Sequence, residues 1–113
     1  MMDMDTESVS PIACDLAAFT EEQATRHRGA VATLLAAKPA IVEVPGGITF
    51  TFLSEPALCQ AAMEFATLER LCCPFLTFRL ELAPQAGPLT LTLTGPDGTE
   101  DILRDFFTLA AVE

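Results

Sequence analysis

Leu76-Thr77-Phe78-Arg79-Leu80-Glu81-Leu82 alternates apolar and polar side chains, and Leu89-Thr90-Leu91-Thr92-Leu93-Thr94 does so again. A period of two with one apolar face is the pattern of a half-buried strand. Pro84 to Pro88 supplies the turn between them, so the two runs pair as antiparallel neighbours. That pairing sets the class of the whole chain.

Outward from these strands the pattern changes period. Behind them, Leu58, Ala62, Phe65, Leu68 and Cys72 recur at helical spacing. The spacing predicts a helix over 55–73, opened by Ser54-Glu55-Pro56 and closed by Pro74, which disfavours helical geometry at Cys73. Before it, Ile41–Val44, Pro45-Gly46-Gly47 and Ile48–Leu53 read as a hairpin, with Ile48, Phe50 and Phe52 inward. Thr20-Glu21-Glu22-Gln23 has the form of a capping box for a helix running to about Lys38 before Pro39. Its apolar face carries Ala24, Val31, Leu34 and Leu35, with His27 on the same side. Pro11 to Leu16 alternates as a first strand with Ile12, Cys14 and Leu16 on one face. After β-strand 89–94, Gly95-Pro96-Asp97-Gly98 turns the chain, Thr99 caps, and Ile102–Val112 forms a last helix with Phe106 and Phe107.

The expected fold is therefore a two-layer α+β domain, β-α-β-β-α-β-β-α, with a mainly antiparallel five-stranded sheet and three helices. Residues 1–8 read as a disordered acidic lead-in and 9–113 as a single domain. A chain of 113 residues, half of them hydrophobic, is long enough to bury a core. With no Trp or Tyr, that core must be built from eight Phe and many Leu and Ala.

Charge narrows the partners. Sixteen acidic residues against six basic ones give a net charge of −10, and the basic residues are scattered. No stripe exists to neutralise phosphates, so nucleic acid and anionic lipid are not expected partners. No apolar run is long enough to span a bilayer, and the acidic N-terminus lacks a signal peptide's basic and apolar regions. A cytoplasmic location follows as the expectation, where thiols stay reduced. The Thr-bearing outer face of 48–53 and 89–94, or a sheet edge, is the expected surface for a homodimer.

The chemistry-bearing stretch is Leu68-Glu69-Arg70-Leu71-Cys72-Cys73-Pro74-Phe75. Adjacent Cα atoms lie about 3.8 Å apart, below the roughly 4.4–6.8 Å of an ordinary disulfide. The pair should be a dithiol. It stands at a helix C-terminus, where the dipole disfavours thiolate, unlike the Cys-x-x-Cys nucleophiles found at helix N-termini. A soft ion overcomes this because coordination deprotonates the thiol. Mercuric or cuprous ion, zinc and a trivalent arsenical all suit two thiolates. Glu69 precedes the cysteines by three and four residues, on the same helical side. Phe75 and Phe78 could wall the site.

A plainer reading stands beside this one: buried cysteines often serve as small hydrophobes. Cys72 on the apolar stripe fits that account, and Cys73, about 100° round the helix, fits it less well. Cys59 lies fourteen residues before Cys73, about 21 Å along the axis, and reads as structural. Cys14 could complete a three-sulfur site from the first strand. His27 reads as a helix-flank histidine rather than a ligand. Glu21, Glu22, Glu100 and Asp101 are helix-start carboxylates with no pattern of a catalytic dyad.

Ile12-Ala13-Cys14-Asp15-Leu16 with Glu69-Arg70-Leu71-Cys72-Cys73-Pro74-Phe75-Leu76-Thr77-Phe78 resembles a bacterial Glu-x-x-Cys-Cys-x-Phe domain. That domain occurs alone and resembles the segment appended C-terminally to some mercury-resistance-regulator (MerR) type proteins. The resemblance runs from Pro11 to about Leu109. It implies soft-metal or metalloid handling, with ligand roles for Cys14, Cys72 and Cys73 and with Glu69 beside them. The DNA-binding helix-turn-helix and long dimerisation helix of such regulators are not in this sequence. Three functions follow for weighing: a soft-metal binding module, a dithiol enzyme for thiol–disulfide exchange or organometal cleavage, and an interaction domain whose cysteines only pack.

Overall fold

The computed structural model describes residues 16–112, with side chains described over 17–105. A 3-10 turn at Leu16–Ala18 leads into helix α1 (Glu21–Ala36). Strands β1 (Ala40–Val44) and β2 (Gly47–Phe52) follow, then helix α2 (Pro56–Cys72), strands β3 (Thr77–Leu82) and β4 (Leu89–Thr94), and helix α3 (Thr99–Val112). The four strands form one antiparallel sheet in the order β1-β2-β4-β3.

The class is α+β as expected, but the described sheet has four strands, not five. Residues 11–15 of the expected first strand lie outside the described residues, as does the lead-in at 1–8. The last residue of that expected strand, Leu16, opens the 3-10 turn instead. Leu16-Ala17-Ala18 closes on itself just ahead of Thr20, which caps α1.

Local chemistry accounts for the element ends. Thr20 Oγ1 accepts from the Gln23 N–H at 3.1 Å, and the Thr20 N–H donates to Gln23 Oε1 at 3.0 Å, closing the capping box. The β1–β2 hairpin turns through Pro45-Gly46, where Gly46 takes φ +82° in the left-handed region that glycine tolerates. Gly47 is required for a different reason: a Cβ there would stand 1.7 Å from the Leu93 carbonyl oxygen. Ser54 does not cap α2. Its hydroxyl donates to the Ala86 carbonyl at 3.1 Å, tying the helix entry to the β3–β4 turn, and Glu55 is the cap residue, with Pro56 following.

The core lies between the helices and one sheet face. Phe50, Phe52, Leu89, Leu91 and Leu93 from the sheet pack with Leu34 of α1, Phe65 of α2 and Leu103 of α3. The cross-strand pairs Phe50↔Leu91 and Ile48↔Leu93 put these side chains in facing rows. Leu82, expected inward, is 62% exposed, because it pairs with Leu89 at the end of the outermost strand, β3. The opposite face bears Thr49, Thr51, Thr90, Thr92 and Thr94, with the Thr49 and Thr92 hydroxyls 2.9 Å apart.

Exposed ion pairs tie the elements from outside. Arg26 of α1 forks onto Glu64 of α2 at 2.5 and 2.9 Å. Arg104 of α3 forks onto Glu43 of β1 at 2.9 and 3.1 Å. Each guanidinium, first through its hydrogen bonds, holds its partner carboxyl below the usual carboxylate range. No described helix is long and apolar enough to cross a membrane.

Candidate metal centre

The last turn of α2 and its exit build the site. Cys72 is the final helical residue and Cys73 the cap, with φ −125° and ψ 72°. Pro74 keeps Cys73 out of the helical region, while the Cys73 N–H still donates to the Glu69 carbonyl at 2.8 Å. Leaving the helix here turns the Cys73 side chain inward. Its sulfur comes 3.4 Å from Cys72 Sγ and 3.3 Å from Glu69 Oε2. Cys73 is thus as buried as Cys72, at 1% and 2% exposure, although continued helical geometry would have set them 100° apart.

Glu69, Cys72 and Cys73 offer donor atoms that all lie within 4.8 Å of one another. All three are buried, with Glu69 5% exposed. A carboxyl is costly to bury without a hydrogen-bond partner, and His27 supplies one. His27 on α1 sets Nε2 at 2.5 Å from Glu69 Oε1. Its ring lies between Phe19 and Phe65, with centroids at 4.9 and 5.7 Å. One carboxylate oxygen of Glu69 is therefore held by His27, and the other faces Cys73.

The sulfurs differ in oxidation state. Cys59 and Cys72 carry thiols, whereas Cys73 is in a disulfide. The Cys72–Cys73 distance is far beyond the bonded separation of about 2.05 Å, so the two are not bridged to each other. The vicinal dithiol expected from the sequence is thus half oxidised here: adjacency forbids an easy bridge within the pair but leaves each sulfur able to pair elsewhere. Without an S–H, Cys73 meets Glu69 as a sulfur–oxygen contact. Once reduced, its thiol donates to Glu69 Oε2.

Of the expected ligands, Cys72, Cys73 and Glu69 come together, and Cys14 lies outside the described residues. Cys59 stands apart, half-buried against the core. Phe75 and Phe78 are partly buried, and Phe78 meets Phe65 edge-on at 6.3 Å. His27 is the residue sequence reasoning undervalued. The available signal was one histidine on an apolar helix face in a core without Tyr or Trp, which leaves few side chains able to satisfy a buried carboxyl. Among the helix-start carboxylates, Glu100 accepts from the Gly46 N–H at 2.5 Å and Asp101 from Arg104 Nη1 at 2.8 Å. They are structural.

No protein-family model, curated protein or solved structure matches the chain.

Proposed function

We propose that this chain is a small cytoplasmic protein that binds a soft metal or metalloid through Cys72 and Cys73, with Glu69 beside them and Cys14 as a further sulfur. The observation that carries the reading is the convergence of three buried donor atoms, two of them sulfur, within 4.8 Å. Buried sulfur donors favour soft ions such as mercuric, cuprous or arsenical species, or zinc, over hard oxygen-seeking cations. Sequestration, sensing and transfer all use such a site. The likeness to the segment appended to MerR-type regulators points the same way. The binding-competent state is the reduced one, and the incoming ion displaces thiol protons.

The test is native mass spectrometry of the reduced protein against mercuric, cuprous, zinc and arsenite species. A stoichiometric adduct is expected. Cys72→Ser and Cys73→Ser should each weaken it strongly, Cys14→Ser less, and Cys59→Ser not at all. Equal retention of mercuric and cuprous ions by the Cys72→Ser, Cys73→Ser double variant would end the metal reading.

A second reading, thiol–disulfide exchange, is favoured by the Cys73 disulfide with the Cys72 sulfur 3.4 Å away. It calls for a thiolate at a helix C-terminus, where the dipole opposes one. A disulfide-reductase assay in which Cys72→Ser abolishes turnover would favour this reading over the first. Self-association through the Thr-bearing face or a sheet edge is a further proposal, and sedimentation showing only monomer at high micromolar concentration would remove it.

A further inference from the structure

We infer that Glu69 ligates the bound ion through Oε2, that His27 is the positioning residue that aims this carboxylate, and that the pair turns the two-sulfur site toward zinc; the inference rests on the metal reading above and deepens it. Glu69 stands one helical turn before Cys72 on α2, with its carboxyl buried. His27 Nε2, from α1, meets Oε1 at 2.5 Å. The ring has little room to leave, because Phe19 and Phe65 flank it with centroids 4.9 and 5.7 Å away. The neighbouring Arg26 clamps α1 to Glu64 of α2 from outside.

A carboxylate bound to a cation can only accept hydrogen bonds, so the ring presents Nε2–H and fixes Oε1. The oxygen left for an ion is Oε2. Neither sulfur takes part in this anchoring, which runs between α1 and α2 and therefore serves the reduced site too. On reduction Cys73 returns as a thiol on the helix cap, its backbone set by Pro74 and by its N–H bond to the Glu69 carbonyl.

The donor set then selects the ion. Mercuric, cuprous and arsenical centres take their bonds from sulfur and leave a hard carboxylate oxygen idle, whereas zinc accepts sulfur and carboxylate oxygen together. Charge points the same way between zinc and copper. A divalent ion on two thiolates and a carboxylate leaves one uncompensated negative charge in the core, and a cuprous ion leaves two, the costlier burial. The order is ion, carboxylate, histidine, where the commoner order is ion, histidine, carboxylate. In both, the outer group orients the ligand, and losing it lowers affinity by about 10–100-fold.

The experiment titrates the reduced protein with zinc against a chromogenic zinc chelator, and in parallel with cuprous ion against a cuprous chelator. His27→Ala and Glu69→Gln should each weaken zinc by about 10–100-fold and leave cuprous binding unchanged. His27→Gln, which keeps an N–H donor, should restore much of the zinc affinity. Cys72→Ser should weaken both ions. Circular dichroism checks folding, and Glu69→Gln preserves the side-chain shape. A merely structural His27 would move the two ions together, so equal losses of zinc and cuprous binding in His27→Ala overturn the inference. Zinc affinity unmoved by Glu69→Gln overturns it as well. Cuprous or mercuric ion held by the wild type in a Cys72- and Cys73-dependent way, with zinc not held, sinks it and leaves the metal reading standing; if no soft ion is held, both fall.

Discussion

His27 Nε2 and Glu69 Oε1, contributed by different helices 42 residues apart in the chain, meet at 2.5 Å inside the core. The side chains are 11% and 6% exposed. Each partner is the other's means of being buried. His27→Ala should leave the carboxyl without that partner and cost about 1–3 kcal/mol, the range for an orphaned buried polar group. The double variant His27→Leu, Glu69→Leu should recover much of that loss, as replacing both partners by apolar groups can. Urea denaturation of the four forms measures the coupling; additive losses would show that the pair does not act as a unit.

Thiol counting tests the oxidation state of the site. Alkylation of the denatured protein without reductant should label Cys59 and Cys72 and spare Cys73, which should label only after reduction. Peptide mapping that found Cys73 labelled before reduction would contradict the disulfide.

Acid should loosen the exposed pairs first. Glu43 and Glu64 have folded pKa values held down by Arg104 and Arg26. A depressed carboxyl contributes stability above its unfolded value, about 4.3, and loses it as pH falls through the folded value. Stability should therefore decline below about pH 4. Glu64→Gln should flatten part of that decline, and added salt should shrink the difference between variant and parent. Thermal melts from pH 3 to 7 read this directly.

Backbone contact at Gly47 gives a sharper stability test. Its Cβ would fall on the Leu93 carbonyl, so Gly47→Ala must push β2 from β4 through the centre of the sheet. It should destabilise at least as much as Leu93→Ala, expected at about 2–5 kcal/mol from the loss of a fully buried side chain. Gly29→Ala, with open space around the added methyl, should be neutral or mildly stabilising. Urea midpoints for the three variants rank them.

The alternation over 76–82 and 89–94 and the capping box at Thr20 were legible because each is a local pattern with one physical solution. The cysteine pair was legible as chemistry, but its geometry was not. Extending helical geometry to Cys73 placed its sulfur on another side, whereas Pro74 turns it onto Cys72 and Glu69. His27 was missed because its partner comes from a different helix, and no local spacing reports a contact 42 residues long. Leu82 was misread because alternation gives the face a side chain takes and not how far the core extends beneath it.

Glu69 holds Cys73 twice, by its carbonyl to the Cys73 N–H at 2.8 Å and by its carboxylate to the Cys73 sulfur at 3.3 Å. The final amide hydrogen bond of α2 and the carboxylate contact to the sulfur thus share one residue. Whatever the sulfur is bound to becomes a mechanical load on that helix end, so the exchange rate of the Cys73 amide with deuterated water is a gauge of the site. Capture or release at the sulfur should change protection there before it changes protection at Leu58, fifteen residues earlier in the chain.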